Sequence, residues 1–188
     1  VSINILNAGG GGVTDSISLA VTISGISGSS LGTIYGSNQM YRKIVNIPEI
    51  DPEKSWVKYH GQLGQAAYYY GVSMMAAEII SPTQVAIIHN QSSGGAAFFE
   101  ICSNKNIKRK TKGFRLIANG SNTNQSVESY DHEKTELVFS VAQANGSAFT
   151  ADYHVRARKY GSAVQSHRAM TSTADNRSAL LFWELLEY

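Results

Sequence analysis

Four carboxylates stand closest to doing chemistry. Asp51 and Glu53 lie two residues apart, and Asp131 and Glu133 repeat that spacing. Two carboxylates can flank a glycosidic bond, one as acid and the other as base or nucleophile. Both pairs, however, belong to one signature that occurs twice, 80 positions apart: Asp51-Pro52-Glu53-Lys54-Ser55 and Asp131-His132-Glu133-Lys134-Thr135. A turn leading into a strand explains these residue types better than catalysis does. Aspartate closes turns by accepting bonds from nearby backbone N–H groups. The lysine can keep its charge in water while its stem lies along a sheet. The histidines His60, His89, His132, His154 and His167 have no Cys or carboxylate partner at ligand spacing, so no metal site is expected. The glycines of residues 9–12 lack the Lys-Ser/Thr ending of a phosphate loop, and neither a nucleophile elbow nor a dinucleotide fingerprint occurs. No catalytic, cofactor-binding or metal-binding residue is assigned, and the chain is not expected to be an enzyme.

Two features could bind a partner. In Tyr68-Tyr69-Tyr70, a strand would send Tyr68 and Tyr70 to one face and Tyr69 to the other. Tyrosine is favoured at interfaces, although ordinary core and cross-strand packing is the simpler account of the triplet. The second feature is the charge cluster of residues 105–112, with Lys108, Arg109 and Lys110 at its centre. It reads as a solvated connector or as a contact for an anionic polymer such as a charged glycan. Aromatic residues are not interleaved in it, which argues against a nucleic-acid groove.

The elements that would position these residues are strands. The duplicated signature follows an apolar residue, Ile50 or Tyr130, and runs into Trp56-Val57-Lys58-Tyr59 or Glu136-Leu137-Val138-Phe139. Each copy closes alike, on Phe98-Phe99-Glu100-Ile101 or Phe182-Trp183-Glu184-Leu185. An internal repeat fixes architecture before other signals do. The expected fold is all-β: an antiparallel β-sandwich built from two similar repeated units, with an N-terminal arm. Residues 1–45 form the arm, 46–104 the first repeat, 105–126 a basic connector and strand, and 127–188 the second repeat. Within the arm, Ile17, Leu19, Val21 and Ile23 alternate with polar residues as in a half-buried strand. It is expected to pair with a neighbouring subunit or to edge the first repeat. Residues 61–65 read as a turn, 66–75 and 84–89 as strands, and Asn145-Gly146 as a hairpin loop before a strand over 148–156. The run Leu180-Leu181-Phe182-Trp183 has helical composition, but its counterpart in the first copy is short and follows glycines, so both are read as strands. Trp56, Val57 or Tyr59, Phe99, Leu137, Phe139 and Trp183 are the expected core.

Composition agrees with this picture. Among 188 residues, 43% are hydrophobic, enough to bury a core, and only 16% are charged against a usual ~25%. A net charge of +2 does not point to nucleic acid. The single cysteine, Cys102, cannot form an internal disulfide and is expected to pack as a small hydrophobe. No apolar run approaches the ~20 residues of a membrane span, and no leader peptide is expected from the opening residues.

The segment Ile47-Pro48-Glu49-Ile50-Asp51-Pro52-Glu53-Lys54-Ser55, a strand after it, and the closing Phe98-Phe99-Glu100-Ile101 resemble segments common in tail and tail-fibre proteins of tailed bacteriophages. The aromatic-rich final strand is similar to the chain ends of such proteins, and the Gly/Ser-rich opening to virion arms. The resemblance covers 46–104 and, less closely, 127–188, where Val127-Glu128 replaces Ile47-Pro48. It implies a non-catalytic virion component, of the tail-fibre, tip or adaptor type, that acts in assembly and host attachment. The implied partners are copies of itself in a homo-oligomer, with a trimer favoured, other virion proteins, and a host surface glycan. The implied location is the virion, assembled in the bacterial cytoplasm. No cofactor and no membrane or nucleic-acid partner is expected. The alternative is a free carbohydrate-binding β-sandwich module with Tyr68 and Tyr70 in its sugar platform.

Overall fold

The computed structural model describes residues 2–6, 14–23, 29–30, 40–64, 75–90, 95–117, 121–143, 155–168 and 179–188. All fourteen elements among them are strands, paired antiparallel in four sheets. Strands β1 (Ser2–Leu6), β2 (Thr14–Ile23), β5 (Ser55–Gly64) and β8 (Gly95–Asn104) make one sheet in the order β1-β2-β8-β5. Strands β3 (Ser29–Ser30), β4 (Met40–Asn46), β6 (Ala76–Ser81) and β7 (Gln84–Asn90) make a second, ordered β3-β4-β7-β6. The rest of the chain supplies β9 (Arg109–Ile117), β10 (Asn122–Ser126), β11 (Thr135–Gln143), β12 (Val155–Tyr160), β13 (Ala163–Arg168) and β14 (Ala179–Glu187). Their sheets are ordered β9-β14-β11 and β10-β13-β12.

The two halves therefore share one plan. The order β2-β8-β5 reappears as β9-β14-β11, and β4-β7-β6 as β10-β13-β12. Even the register repeats: Ser55 opposes Ser103 as Thr135 opposes Glu187, and Tyr59 opposes Phe99 as Phe139 opposes Trp183. The signature forms the same turn twice. Asp51 Oδ1 accepts the Glu53 N–H at 3.0 Å, and Asp131 Oδ1 accepts the Glu133 N–H at 3.0 Å. The next carbonyl then ties down the end of the closing strand. Lys54 O accepts from Asn104 N–H at 2.8 Å, and Lys134 O from Tyr188 N–H at 2.9 Å. Where Val127 replaces Ile47, the side chain changes but the backbone bond does not. Ile47 N–H donates to Thr83 O and Val127 N–H to Ser162 O.

The common plan begins earlier than the duplicated words. The alternating arm segment supplies β2, which pairs with β8 from Thr14–Asn104 to Ile23–Gly95. Its counterpart β9 starts inside the basic stretch and pairs with β14 in the same sense. Residues 61–64, expected as a turn, continue β5 past an irregularity between Tyr59 and Gly61. Glycine does not stop a strand that has a long partner on one side. The hairpin β12–β13 turns on Gly161-Ser162, and Gly161 takes φ +54°, a conformation open to glycine without Cβ strain. The expected strand over 66–75 lies almost wholly, and the Asn145-Gly146 loop wholly, outside the described residues.

Each half has its own core. Val45, Val57, Met75, Ile79, Val85, Ile87, Phe99 and Ile101 fill the first sandwich. Ile117, Val141, Val164, Ala179, Leu181, Trp183 and Leu185 fill the second, with Leu137 partly buried against them. Strand β14 is buried on both faces. Its alternate residues Leu180 and Phe182 pack on Ala76, Ala86 and Ile88 of the first half, and Leu186 packs with Trp56, Cys102 and Ile107. A strand covered on both sides has no polar face to alternate with, which is why residues 179–186 read as a nearly unbroken apolar run. Burying each such side chain contributes roughly 1.5–3 kcal/mol. Trp56, Val57, Phe99 and Trp183 are buried as expected, but Phe139 is 38% exposed. Strand β11 is an edge strand of its sheet, so among the described residues Phe139 has a strand neighbour within the sheet on one side only, Trp183 of β14.

Candidate functional site

The seam between the halves holds a buried ion pair. Lys110, on β9, is 5% exposed at its side chain and lies 2.7 Å from Glu184 Oε1 on β14, itself 15% exposed. The same ammonium crosses to the first half and donates to Pro52 O at 3.0 Å and to Ser55 O. Its three protons thus meet three acceptors. Burial pushes the Glu184 carboxyl above the usual range, and this outweighs the pull of Lys110 and Lys112 and a bond from the Val57 backbone. In the second half Lys159 does for its signature what Lys110 does for the first, donating to His132 O and Thr135 O. The two ammonium groups come from different strands, so the repeat preserves the carbonyl cage rather than the lysine.

Beside the buried pair, a cleft of about 250 Å³ opens between β5 and β6 of one half and the β9-β14-β11 sheet of the other. Phe114 and Phe139 border it, 48% and 38% exposed, and Lys112 reaches Glu78 at 3.4 Å across it. Trp183 closes one side. Its indole lies over Gly113, where a Cβ would come within 2.5 Å of the ring, and its Nε1–H donates to Gln125 Oε1 at 3.0 Å. A glycine is required at that crossing because any side chain would meet the indole.

The sequence candidates separate. Lys108 is exposed. Arg109 pairs with Glu187 at 2.7 Å and Glu128 at 3.4 Å. Lys110 is committed to the seam, so the three cations do not form one surface. Tyr68 and Tyr70 lie outside the described residues. The paired carboxylates do not face each other across a cleft: Asp51 and Asp131 close their turns, and Glu53 and Glu133 are exposed. Burial pushes the Cys102 thiol up to about 12, helped by the charge of Glu100 and opposed by Lys58. A thiol so placed is a packing group. His60 donates to Glu100 at 2.8 Å on an open strand face. Among the described residues no group of three His, Cys, Asp or Glu could hold a metal ion, and no helix is long and apolar enough to cross a membrane. What this arrangement does chemically is hold two sandwiches together and leave an aromatic-edged cleft beside the joint.

Compared with known proteins, the chain matches no protein family, no curated protein and no solved structure.

Proposed function

We propose that the chain is a non-catalytic structural component of a tailed-phage virion, a tail-fibre, tip or adaptor part that acts in assembly and host attachment. The observation that supports this reading is the use made of its ionic groups. The aspartates of both signatures are spent on turns, and the buried Lys110 ammonium fastens one β unit to its copy. Two sandwiches fastened in this way make a stiff spacer with several outward sheet faces. Such a spacer suits a particle in which weak sites are repeated by symmetry and gain avidity without new contacts. Sedimentation of the purified chain should give a homo-oligomer, and incubation with capsule, lipopolysaccharide or peptidoglycan should release no product. Turnover lost on Asp51→Asn or Asp131→Asn would overturn the non-catalytic reading.

A second reading, a free carbohydrate-binding module, is favoured by the cleft. Exposed Phe114 and Phe139 stand there beside Glu78 and Lys112, offering ring faces next to polar groups. A monomer that binds neutral oligosaccharides and loses them on Phe114→Ala would support this reading over the first.

A further inference from the structure

The outer face of the β10-β13-β12 sheet is polar over three adjacent strands. The registers place Asn122, His167 and Arg156 in one row across it, and Asn124, Gln165 and Arg158 in the next. The opposite face supplies Gln125, Val164 and Ala157 to the interior, so this polar set is what the pleat sends outward. The rows are wired internally. Arg158 Nε donates to Gln165 Oε1 at 2.6 Å, and Gln165 Nε2 donates to Asn124 Oδ1 at 3.0 Å. In the other row His167 Nδ1 donates to Asn122 Oδ1 at 2.7 Å.

These bonds orient the amides and use up one donor of Arg158. Among the described residues its two terminal nitrogens make no hydrogen bond and the exposed Arg156 makes no ion pair. The described residues of this face include no carboxylate, although the chain as a whole carries nearly as many acids as bases. A depression of about 490 Å³ lies over the two rows, within the size of ordinary ligand sites.

We propose that this face binds a carboxylated glycan, a polymer of sugar acids. The proposal rests on the host-attachment reading and names its ligand class. Arg156 and Arg158 project from the same face two residues apart, about 7 Å along the strand, and each offers a planar fork matched to a carboxylate. The amide groups of Asn122, Asn124 and Gln165 present donors and acceptors beside them, as sugar hydroxyls require. Nucleic acid fits less well. Among the described residues the rings on this face are Tyr160, which the Arg158 guanidinium covers at 5.2 Å, and His167, whose imidazole is tied to Asn122, so they offer no row of open rings for stacked bases.

The test is calorimetric titration of the full chain with three probes: an oligogalacturonate, the same oligomer with its carboxyls reduced to alcohols, and a single-stranded oligonucleotide. The oligogalacturonate should bind, and the reduced oligomer should bind about tenfold or more weakly. The double variant Arg156→Gln/Arg158→Gln should lose the oligogalacturonate by a similar factor while keeping its melting temperature, because both side chains are exposed. No binding of the oligogalacturonate, equal binding by the double variant, or tighter binding of the oligonucleotide would each overturn the proposal. Incorporation of the same variant into particles reports separately on the virion reading, since it does not depend on the glycan.

Discussion

Lys110 Nζ lies 2.7 Å from Glu184 Oε1, and the same ammonium holds the carbonyls of Pro52 and Ser55 in the other half of the molecule. Two neighbouring strands of the second unit thereby grip the signature turn of the first. A buried pair of this kind is weak evidence for net stability, yet removing one partner is costly because the other stays buried and charged. Lys110→Met should destabilise the protein by about 3–5 kcal/mol in denaturant unfolding. Lys110→Met/Glu184→Leu should recover part of that loss. Equal stability of Lys110→Met and the native chain would show that the grip does not form.

Gly113 and Trp183 make a steric prediction. A methyl group on residue 113 would sit 2.5 Å from the indole ring. Gly113→Ala should cost about 1–3 kcal/mol by overpacking and should shift the Trp183 emission, read in a Trp56→Phe background, as the bond to Gln125 is lost. An unchanged spectrum would place the indole elsewhere.

Thr135 carries a mark of duplication. Ser55 shares a 2.7 Å hydrogen bond with Ser103, but the residue opposite Thr135 is Glu187, which turns to Arg109. The Thr135 hydroxyl is left buried without a hydrogen-bond partner among the described residues. Thr135→Val should therefore be neutral or stabilising, because an unpaired buried hydroxyl is replaced by a methyl of like shape. Ser55→Ala, which orphans Ser103, should destabilise. Thermal unfolding of the two variants compares them directly.

Two carboxyls shift in opposite senses, and their signs differ with pH. The Glu133 backbone N–H, with help from Lys134, holds Asp131 below the ordinary range. Its contribution is present above the unfolded value and is lost as pH falls through the folded one. Burial holds Glu184 above that range. Its contribution is full below the unfolded value and is lost as pH rises through the folded one. Asp131→Asn should thus flatten the acid limb of a stability–pH curve, while Glu184→Gln should flatten the decline just above the ordinary carboxylate range. Parallel curves for all three proteins would contradict both assignments.

The all-β class and the repeat were legible because they are written in local terms: two matching turns, two matching closing strands, and alternation between them. The full extent of the repeat was not. Strands β2 and β9 correspond through equivalent partners, β8 and β14, rather than through like residues, so no word match joins Ile17 to its counterpart Thr111. The charge cluster misled because sequence proximity says nothing about sides: Lys108 faces solvent, while Lys110 enters the seam. Arg156 and Arg158 did carry a readable signal. Val155-Arg156-Ala157-Arg158 alternates at period two, and Gly161-Ser162 then turns it back on Val164 and Ser166. The strand expected over 148–156 ends between the two arginines, whereas the observed strand runs on to Tyr160 and carries both.

The most direct measurement of the central claim is quantitative mass spectrometry of density-purified phage particles from a host carrying this gene. The account predicts the chain in the particles at a fixed copy number, and at the same number for the Arg156→Gln/Arg158→Gln variant. Recovery of the chain only in the particle-free supernatant would contradict it and leave the free carbohydrate-binding module as the better reading.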